Sequence, residues 1–141
     1  MSRNGKFAEI VDMKNESLTC DNLQNFPSQL SLSRVGALLN GKPLVCGGNN
    51  PADCYQYDNQ TWKIFVQMKV NRHYAGIAVM ENGSLWITGG MTKALDFSDP
   101  RVVYQTTELI HPDGNVTYGP NLPTERYCHC SAKLDDFRQG N

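Results

Sequence analysis

Apolar residues in this chain occur in short runs bounded by turn residues such as glycine, asparagine and aspartate. Two of these runs end in a glycine pair: residues 44–48 read LVCGG, and residues 85–90 read LWITGG. A short apolar run between turn residues predicts a buried strand, and adjacent glycines permit positive φ and close backbone approach. The two pairs begin about 40 residues apart, a spacing typical of structural repeats. The pattern therefore predicts an internal repeat.

The residues around the glycine pairs recur in the same order. In each unit an apolar run leads into an Asn-Gly turn, at residues 40–41 and 82–83, before the strand with the glycine pair. Asn-Gly between apolar runs is a strong hairpin signal, because a type I′ turn needs φ above zero twice. The predicted strands are residues 34–39, 44–48, 54–57 and 62–66 in the first unit and residues 75–80, 85–88, 106–110 and 116–118 in the second. No stretch has helical periodicity, so the predicted fold class is all-β, in four-stranded units.

This pattern resembles the kelch repeat, the blade unit of kelch β-propellers. In that family an apolar strand and a glycine pair precede a tyrosine and a tryptophan separated by a short turn. The matching residues here are Gly47, Gly48, Tyr57, Trp62, Gly89 and Gly90, with Arg34, Arg72 and Arg126 at the starts of successive units. The second unit departs from the pattern, because Tyr118 stands where the tryptophan belongs. The rival family is the WD-type propeller, but its Gly-His and Trp-Asp signature is absent from this sequence. Residues 45–48 (VCGG) with 53–55 (DCY), and residues 119–123 (GPNLP), resemble the cysteine-bearing kelch proteins of the extracellular kind.

The resemblance implies four segments of a kelch-type β-propeller. Residues 1–32 are a partial blade with its last two strands, residues 33–70 and 71–121 are full blades, and residues 122–141 begin another. Propellers close with about four to eight blades. We therefore expect an open, incomplete propeller whose remaining blades belong to the same longer propeller.

Composition excludes several classes of partner. The formal net charge of −1 over 141 residues gives no electrostatic footprint for nucleic acid. No apolar run approaches the roughly 20 residues that span a bilayer. Four Asn-x-Ser/Thr sequons, at Asn15, Asn59, Asn82 and Asn115, are candidate glycosylation sites. The expected location is extracellular, with a signal peptide upstream of this fragment; a cytoplasmic protein is the alternative.

Two of the five cysteines lie around one short loop. Cys46 ends the second predicted strand and Cys54 begins the third, and neighbouring strand ends can meet the Cα spacing of a disulfide. We expect this disulfide to stabilise the fold by about 2–3 kcal/mol in the chain-entropy model. The alternative is a pair of reduced, buried thiols, as in a cytosolic protein.

The other cysteines leave their pairing open. Cys128 and Cys130 flank His129, and on a strand they point to the same face. Zinc sites usually have two residues between paired cysteines and a second ligand pair, which the chain lacks, so we predict no metal and no cofactor. We favour a core position for one of these two cysteines. The other is expected to form a disulfide, either to Cys20 or to a missing blade.

An enzyme remains an alternative, because some kelch-like propellers are copper oxidases resembling galactose oxidase. A copper site needs clustered tyrosine and histidine, and the candidates are His73, Tyr74, Tyr127 and His129. They equally fit strand-end residues that pack between blades. The sequence shows no nucleophile–base pair, paired carboxylates or phosphate loop, so the expected protein is not an enzyme.

The longest irregular segment, residues 91–105, lies between two strands of one blade. Loops longer than about 12 residues are usually functional or disordered, and insertions in repeat folds often lie on the binding face. Its candidate binding residues are Phe97, Asp99, Arg101 and Tyr104, although a solvated insertion without a partner fits as well. The leading hypothesis is a non-catalytic kelch-repeat module that binds a protein through its loops. The alternatives are a fragment of an extracellular propeller enzyme and an intracellular substrate adaptor.

Overall fold

The described part of the chain contains β-strands and no helix. A computed structural model describes residues 9–10, 21–22, 25–27, 35–47, 50–92 and 100–132. The strands are β1 (Glu9–Ile10), β2 (Asp21–Asn22), β3 (Val35–Leu39), β4 (Lys42–Cys46), β5 (Asp53–Asp58), β6 (Thr61–Gln67), β7 (Gly76–Val79), β8 (Leu85–Thr88), β9 (Thr107–Ile110) and β10 (Val116–Tyr118).

The strands form two four-stranded sheets of the same topology. Strands β3 to β6 make the first sheet and β7 to β10 the second, each an antiparallel meander in chain order. Strands β1 and β2 pair antiparallel in a separate two-stranded sheet. The all-β prediction is confirmed, and every strand predicted for the two units is present with its ends shifted by at most two residues.

Because the sheets are meanders, their short turns all lie at one end. The turns are residues 40–41, 59–60, 81–83 and 112–114, and we call this the turn end. Asn40 and Gly41 have φ of 54° and 72°, as a type I′ turn requires. The Nδ2 atom of Asn40 donates to the Pro112 carbonyl over 2.9 Å, so the turns of the two sheets lie side by side. The longer connections lie at the opposite end, the loop end, and their described residues are 47, 50–52, 68–75, 89–92, 100–106 and 119–131.

The hydrophobic core lies between the two sheets. Alternate residues of the central strands face it, including Leu44 on β4 and Leu85 and Ile87 on β8, all fully buried. Leu39 and Ile110 are also fully buried. Burying one such side chain stabilises the fold by about 1.5–3 kcal/mol relative to leaving it exposed. The shared core makes the two sheets one packed unit.

The predicted disulfide is confirmed. Cys46 and Cys54 are cross-strand partners on β4 and β5, with Cα atoms 3.9 Å apart, and their sulfur atoms are bonded. The bond closes the loop of residues 47–52, where the Gly47 amide also donates to the Asp53 carbonyl over 2.8 Å.

The tyrosine and tryptophan of the repeat pattern become a cross-strand pair. Tyr57 and Trp62 are paired across β5 and β6, and their ring centroids are 5.1 Å apart. Phe26, which is buried, packs edge-on against Trp62 and Tyr55, both at 5.0 Å. The short turn between them therefore places the two aromatic residues side by side on one face of the first sheet.

The start of a further blade does not take the predicted form within the described residues. A strand was expected from Arg126 onward, but residues 122–132 form none, and Cys128 has a φ of 50°. This backbone angle is incompatible with an extended strand. Several predicted residues lie outside the described part of the chain: Asn15, Cys20, Arg34, Gly48, Phe97 and Asp99.

Candidate interaction face

The loop end of the second sheet is built from four segments joined by backbone hydrogen bonds. His73 and Met91 exchange two bonds of 2.9 Å, and Met91 forms a further bridge to Val103. The Gly90 amide donates to the Arg126 carbonyl over 2.9 Å, and the Tyr104 amide donates to Gly90 over 2.8 Å. Residues far apart in sequence are thus fixed in one surface that continues the sheet past β8.

The second glycine pair makes this close assembly possible. Gly89 and Gly90 have φ of 58° and 93°, in the region that favours glycine. A Cβ atom on Gly89 would collide with the Arg126 carbonyl, and one on Gly90 would lie 2.8 Å from the His73 carbonyl oxygen. The expected combination of positive φ and close backbone approach is present here.

Beneath the surface lies a buried ion pair between Arg72 and Glu108. Arg72 Nη2 and Glu108 Oε1 are 2.9 Å apart, and both side chains are fully buried. Arg72 Nη1 also donates to the carbonyls of Gly89, at 2.6 Å, and Thr106, at 2.9 Å. The guanidinium carbon lies 5.4 Å from the centre of the Tyr104 ring, a cation–π contact. Arg72 therefore ties the glycine pair to the long loop.

Glu108 connects the same node to the first sheet. Its two carboxylate oxygens accept from the amides of Lys69, at 2.8 Å, and Val70, at 3.0 Å. These residues follow β6, so one buried carboxylate anchors the connection between the sheets. Buried charges persist only when they are paired and hydrogen-bonded in this way, which indicates a structural role.

His129 anchors the last described segment to the face of the second sheet away from the core. Its Nε2 atom lies 2.8 Å from Thr88 Oγ1, which lies 2.6 Å from Ser131 Oγ. Partial burial lowers the pKa of His129 below its ordinary value of 6.5, and the nearby charge of Arg126 lowers it further. At neutral pH the uncharged imidazole is therefore the favoured form of His129 in the folded chain.

Three exposed tyrosines stand on this framework. Tyr74, Tyr118 and Tyr127 are 37%, 60% and 46% exposed, and all belong to the loop end or the strand end that borders it. The Cys128 amide donates to the Tyr74 carbonyl over 2.9 Å, which brings Tyr127 close to Tyr74. The Lys69 ammonium lies 5.6 Å from the Tyr118 ring centre. Tyrosine is enriched in protein interfaces, so the arrangement suits a protein partner.

The exposed charges of the described loop-end residues are mainly positive. Lys69, Arg101 and Arg126 are exposed cations, whereas Glu125 is the exposed anion on the described segments. Val102, 53% exposed, adds an apolar side chain beside Arg101. The described surface thus combines aromatic, apolar and basic groups.

The candidate residues of the long loop differ in position. Arg101 is exposed, as a binding residue must be, but Tyr104 is half-buried under Arg72. The sequence reasoning missed Tyr118, Val102 and Glu108. The apolar positions of β9 do not indicate that Glu108 is buried, and only the contact with Arg72 explains it.

The candidate copper residues make different contacts in the structure. His73 is buried and paired through its backbone, His129 is bonded to Thr88, and Tyr74 and Tyr127 are exposed. Among the described residues, no group of three or more His, Cys, Asp or Glu side chains is arranged to hold a metal ion. Cys128 and Cys130 are both exposed free thiols, so the expected core position for one of them is wrong.

The two described repeat arginines have different surroundings, and Arg34 lies outside the described residues. Arg72 is fully buried in its ion pair with Glu108. Arg126 is exposed and its Nη2 atom donates to Thr124 Oγ1 over 2.7 Å. The buried ion pair of Arg72 is therefore particular to the second sheet among the described residues.

Comparisons with known proteins support the fold and no activity. The chain matches no protein-family model, and no curated protein is similar to it in sequence. Among solved structures it is similar to YjhT, with a TM-score of 0.69 at 14% sequence identity. The match covers 84% of this chain and 46% of YjhT, so the chain spans about half of that structure's length. At this identity the likeness concerns the fold alone.

One further finding concerns membranes. None of the described residues belongs to a helix of the length and apolarity needed to cross a bilayer.

Proposed function

We propose that this chain is a non-catalytic, kelch-type interaction module that binds a protein partner at its loop end. The observation that carries the proposal is the placement of Tyr74, Tyr118 and Tyr127 in or beside hydrogen-bonded loops at one end of the second sheet. Exposed tyrosines on rigid backbone lose little conformational entropy when they are covered by a partner. Such positions are typical of residues that dominate binding energy.

The charge of the surface specifies the partner further. Lys69, Arg101 and Arg126 favour a partner that presents carboxylates beside apolar or aromatic groups. Opposite charges on two surfaces raise the rate of association more than the affinity. At 0.1–0.15 M salt their attraction is screened beyond about 8–10 Å. The proposed partner is therefore an acidic protein surface, and association should slow as salt increases.

The confirmed disulfide supports an extracellular setting for this interaction. Disulfides persist in oxidising compartments and are rare in the cytosol. The bond joins Cys46 to Cys54 at the loop end of the first sheet.

Affinity capture with matched variants tests the proposal. The chain and a Tyr74→Ser/Tyr127→Ser variant are used as baits in extracellular fluid, beside a Leu38→Ser/Val79→Ser control. The control changes exposed apolar residues of the turn end, 59% and 47% exposed. We expect the same protein to be captured by the wild-type chain and the control and lost with the tyrosine variant. Equal capture by all three baits would contradict a binding face at the loop end.

A further inference from the structure

The sequons of the described chain all lie at the turn end. Asn59 is in the turn between β5 and β6, Asn82 in the turn between β7 and β8, and Asn115 directly after the turn at residues 112–114. Three of the four turns that define this end therefore contain, or directly precede, the asparagine of an Asn-x-Ser/Thr sequence. The fourth turn contains Asn40, which is followed by Gly-Lys and is not a sequon.

The loop end has the opposite character. Its segments, residues 47–52, 68–75, 89–106 and 119–131, contain asparagines but no sequon. Asn71 is followed by Arg-His, and Asn121 by Leu-Pro. The two ends of the sheets thus differ in the one sequence feature that directs N-linked glycan attachment.

The three sequon asparagines are accessible. Asn59, Asn82 and Asn115 are all exposed, and they lie in or directly after hairpin turns. Asn82 uses its Oδ1 atom to accept from the Ser84 amide over 3.0 Å, a contact that does not involve Nδ2. Nδ2 is the atom that carries an N-linked glycan, so the turn geometry leaves the reactive nitrogen clear.

We propose that Asn59, Asn82 and Asn115 carry N-linked glycans that cover the turn end and leave the loop end bare. The donor is a polyprenyl-diphosphate-linked oligosaccharide. Nδ2 attacks C1 of its first sugar, so that the C1–N bond forms, the C1–O bond to diphosphate breaks, one amide proton is released and polyprenyl diphosphate leaves. The Cys46–Cys54 disulfide supports this, because disulfide formation in the secretory pathway accompanies the same compartment's glycan transfer.

The modification has a physical consequence for recognition. A glycan is bulky and hydrated, so three of them at one end exclude a protein partner from that end. A partner is then directed to the opposite end, where Tyr74 and Tyr127 are exposed. This proposal goes beyond the proposed function, and glycan occupancy is measured without any partner.

Mass spectrometry of the native chain tests the assignment. The chain is immunopurified from the cells that produce it and from their medium, then treated with peptide-N-glycosidase in ¹⁸O-water, which converts each occupied asparagine to labelled aspartate. We expect labelled aspartate at positions 59, 82 and 115. A native chain in which any of these asparagines is found only unmodified overturns the proposal.

Variants secreted from a eukaryotic host separate the sequon from the fold. Thr61→Ala destroys the sequon of Asn59, whereas Thr61→Ser keeps it, and both leave the turn residues Asn59 and Gln60 unchanged. We expect Thr61→Ala to lack one glycan and Thr61→Ser to match the wild-type chain. An equal number of glycans on all three proteins overturns glycosylation at Asn59.

Gln105→Asn creates a sequon at the loop end with Thr107, and its glycan is expected to block partner binding. If glycans are found at positions 59, 82 and 115 but the glycan on the Gln105→Asn variant leaves partner binding intact, the proposed binding face is wrong. The glycan assignment then stands.

Discussion

Arg72 and Glu108 form a fully buried ion pair in the described structure. Arg72 is noticeable in the sequence, because it precedes a repeat unit, but Glu108 has no such signal among the apolar residues of β9. Its role depends on Lys69 and Val70, which are distant in sequence and meet it only in the folded chain. Pairings of this kind are not predictable from local pattern.

Removing Glu108 should destabilise the fold strongly. Glu108→Ala leaves the Arg72 guanidinium and two backbone amides without their buried acceptor, which costs about 3–5 kcal/mol. Glu125→Ala, at an exposed position of the same end, is the matched control and should change the free energy of unfolding by less than about 0.5 kcal/mol. Denaturant unfolding of both variants measures the difference. Similar small losses would show that the buried pair contributes little.

His129 should make the last described segment sensitive to acid. Its folded-state pKa is below the unfolded value of 6.5, so the unfolded segment binds the proton more readily. Anchoring is therefore full above about pH 6.5 and weakens as the pH falls from there towards the folded pKa.

Amide hydrogen exchange of Cys128 measures this effect, after correction for the intrinsic pH dependence of exchange. The Cys128 amide donates to Tyr74, so its protection should fall on acidification, and His129→Gln should remove that pH dependence. The Gly47 amide, bonded to the Asp53 carbonyl in the first sheet, is the control and should keep its protection. Unchanged protection of Cys128 between pH 7.5 and 5.5 would refute the effect.

At the scale of elements, strands and turns are the part that the sequence predicts best. Short apolar runs mark each strand of the two sheets, and Asn40-Gly41 marks a type I′ turn. The turn at Asn59-Gln60 adopts the same positive angles, 47° and 62°, without a glycine. The segment after Arg126 was predicted as a strand because it follows the order of the two preceding repeat units. It packs instead as an irregular segment through His129 and Ser131, a tertiary contact that local pattern does not encode.

Two glycines separate the cost of backbone conformation from the cost of contact. Gly41 and Gly89 have similar φ, 72° and 58°, but a Cβ on Gly41 would meet nothing within 4 Å, whereas one on Gly89 would collide with the Arg126 carbonyl. Gly41→Ala should therefore cost about 1–2 kcal/mol, the penalty of the left-handed conformation alone. Gly89→Ala should cost more and release residues 126–131 from β8. Thermal unfolding gives the first comparison and hydrogen exchange the second. Equal costs for the two variants would exclude a contact contribution at Gly89.

At the scale of the whole molecule, the two meanders separate a turn end from a loop end. The repeat predicts this separation, because antiparallel strands in chain order place alternate connections at opposite ends. The sequence did not predict which loop residues are exposed: Tyr104 packs under Arg72, whereas Tyr118 is open to solvent. Exposure of a loop residue depends on the segments packed around it, and these come from four distant parts of the chain.

The most direct test of the proposed binding face is the affinity of the chain for a purified captured partner. Biolayer interferometry compares the wild-type chain, Tyr74→Ser/Tyr127→Ser and the turn-end control Leu38→Ser/Val79→Ser, each shown by circular dichroism to be folded. Interface tyrosines that dominate binding each contribute about 2 kcal/mol or more. We therefore predict a loss of at least about thirtyfold in affinity for the tyrosine variant and less than about twofold for the control. An unchanged affinity for the folded tyrosine variant, or an equal loss in both variants, would contradict a binding face at the loop end.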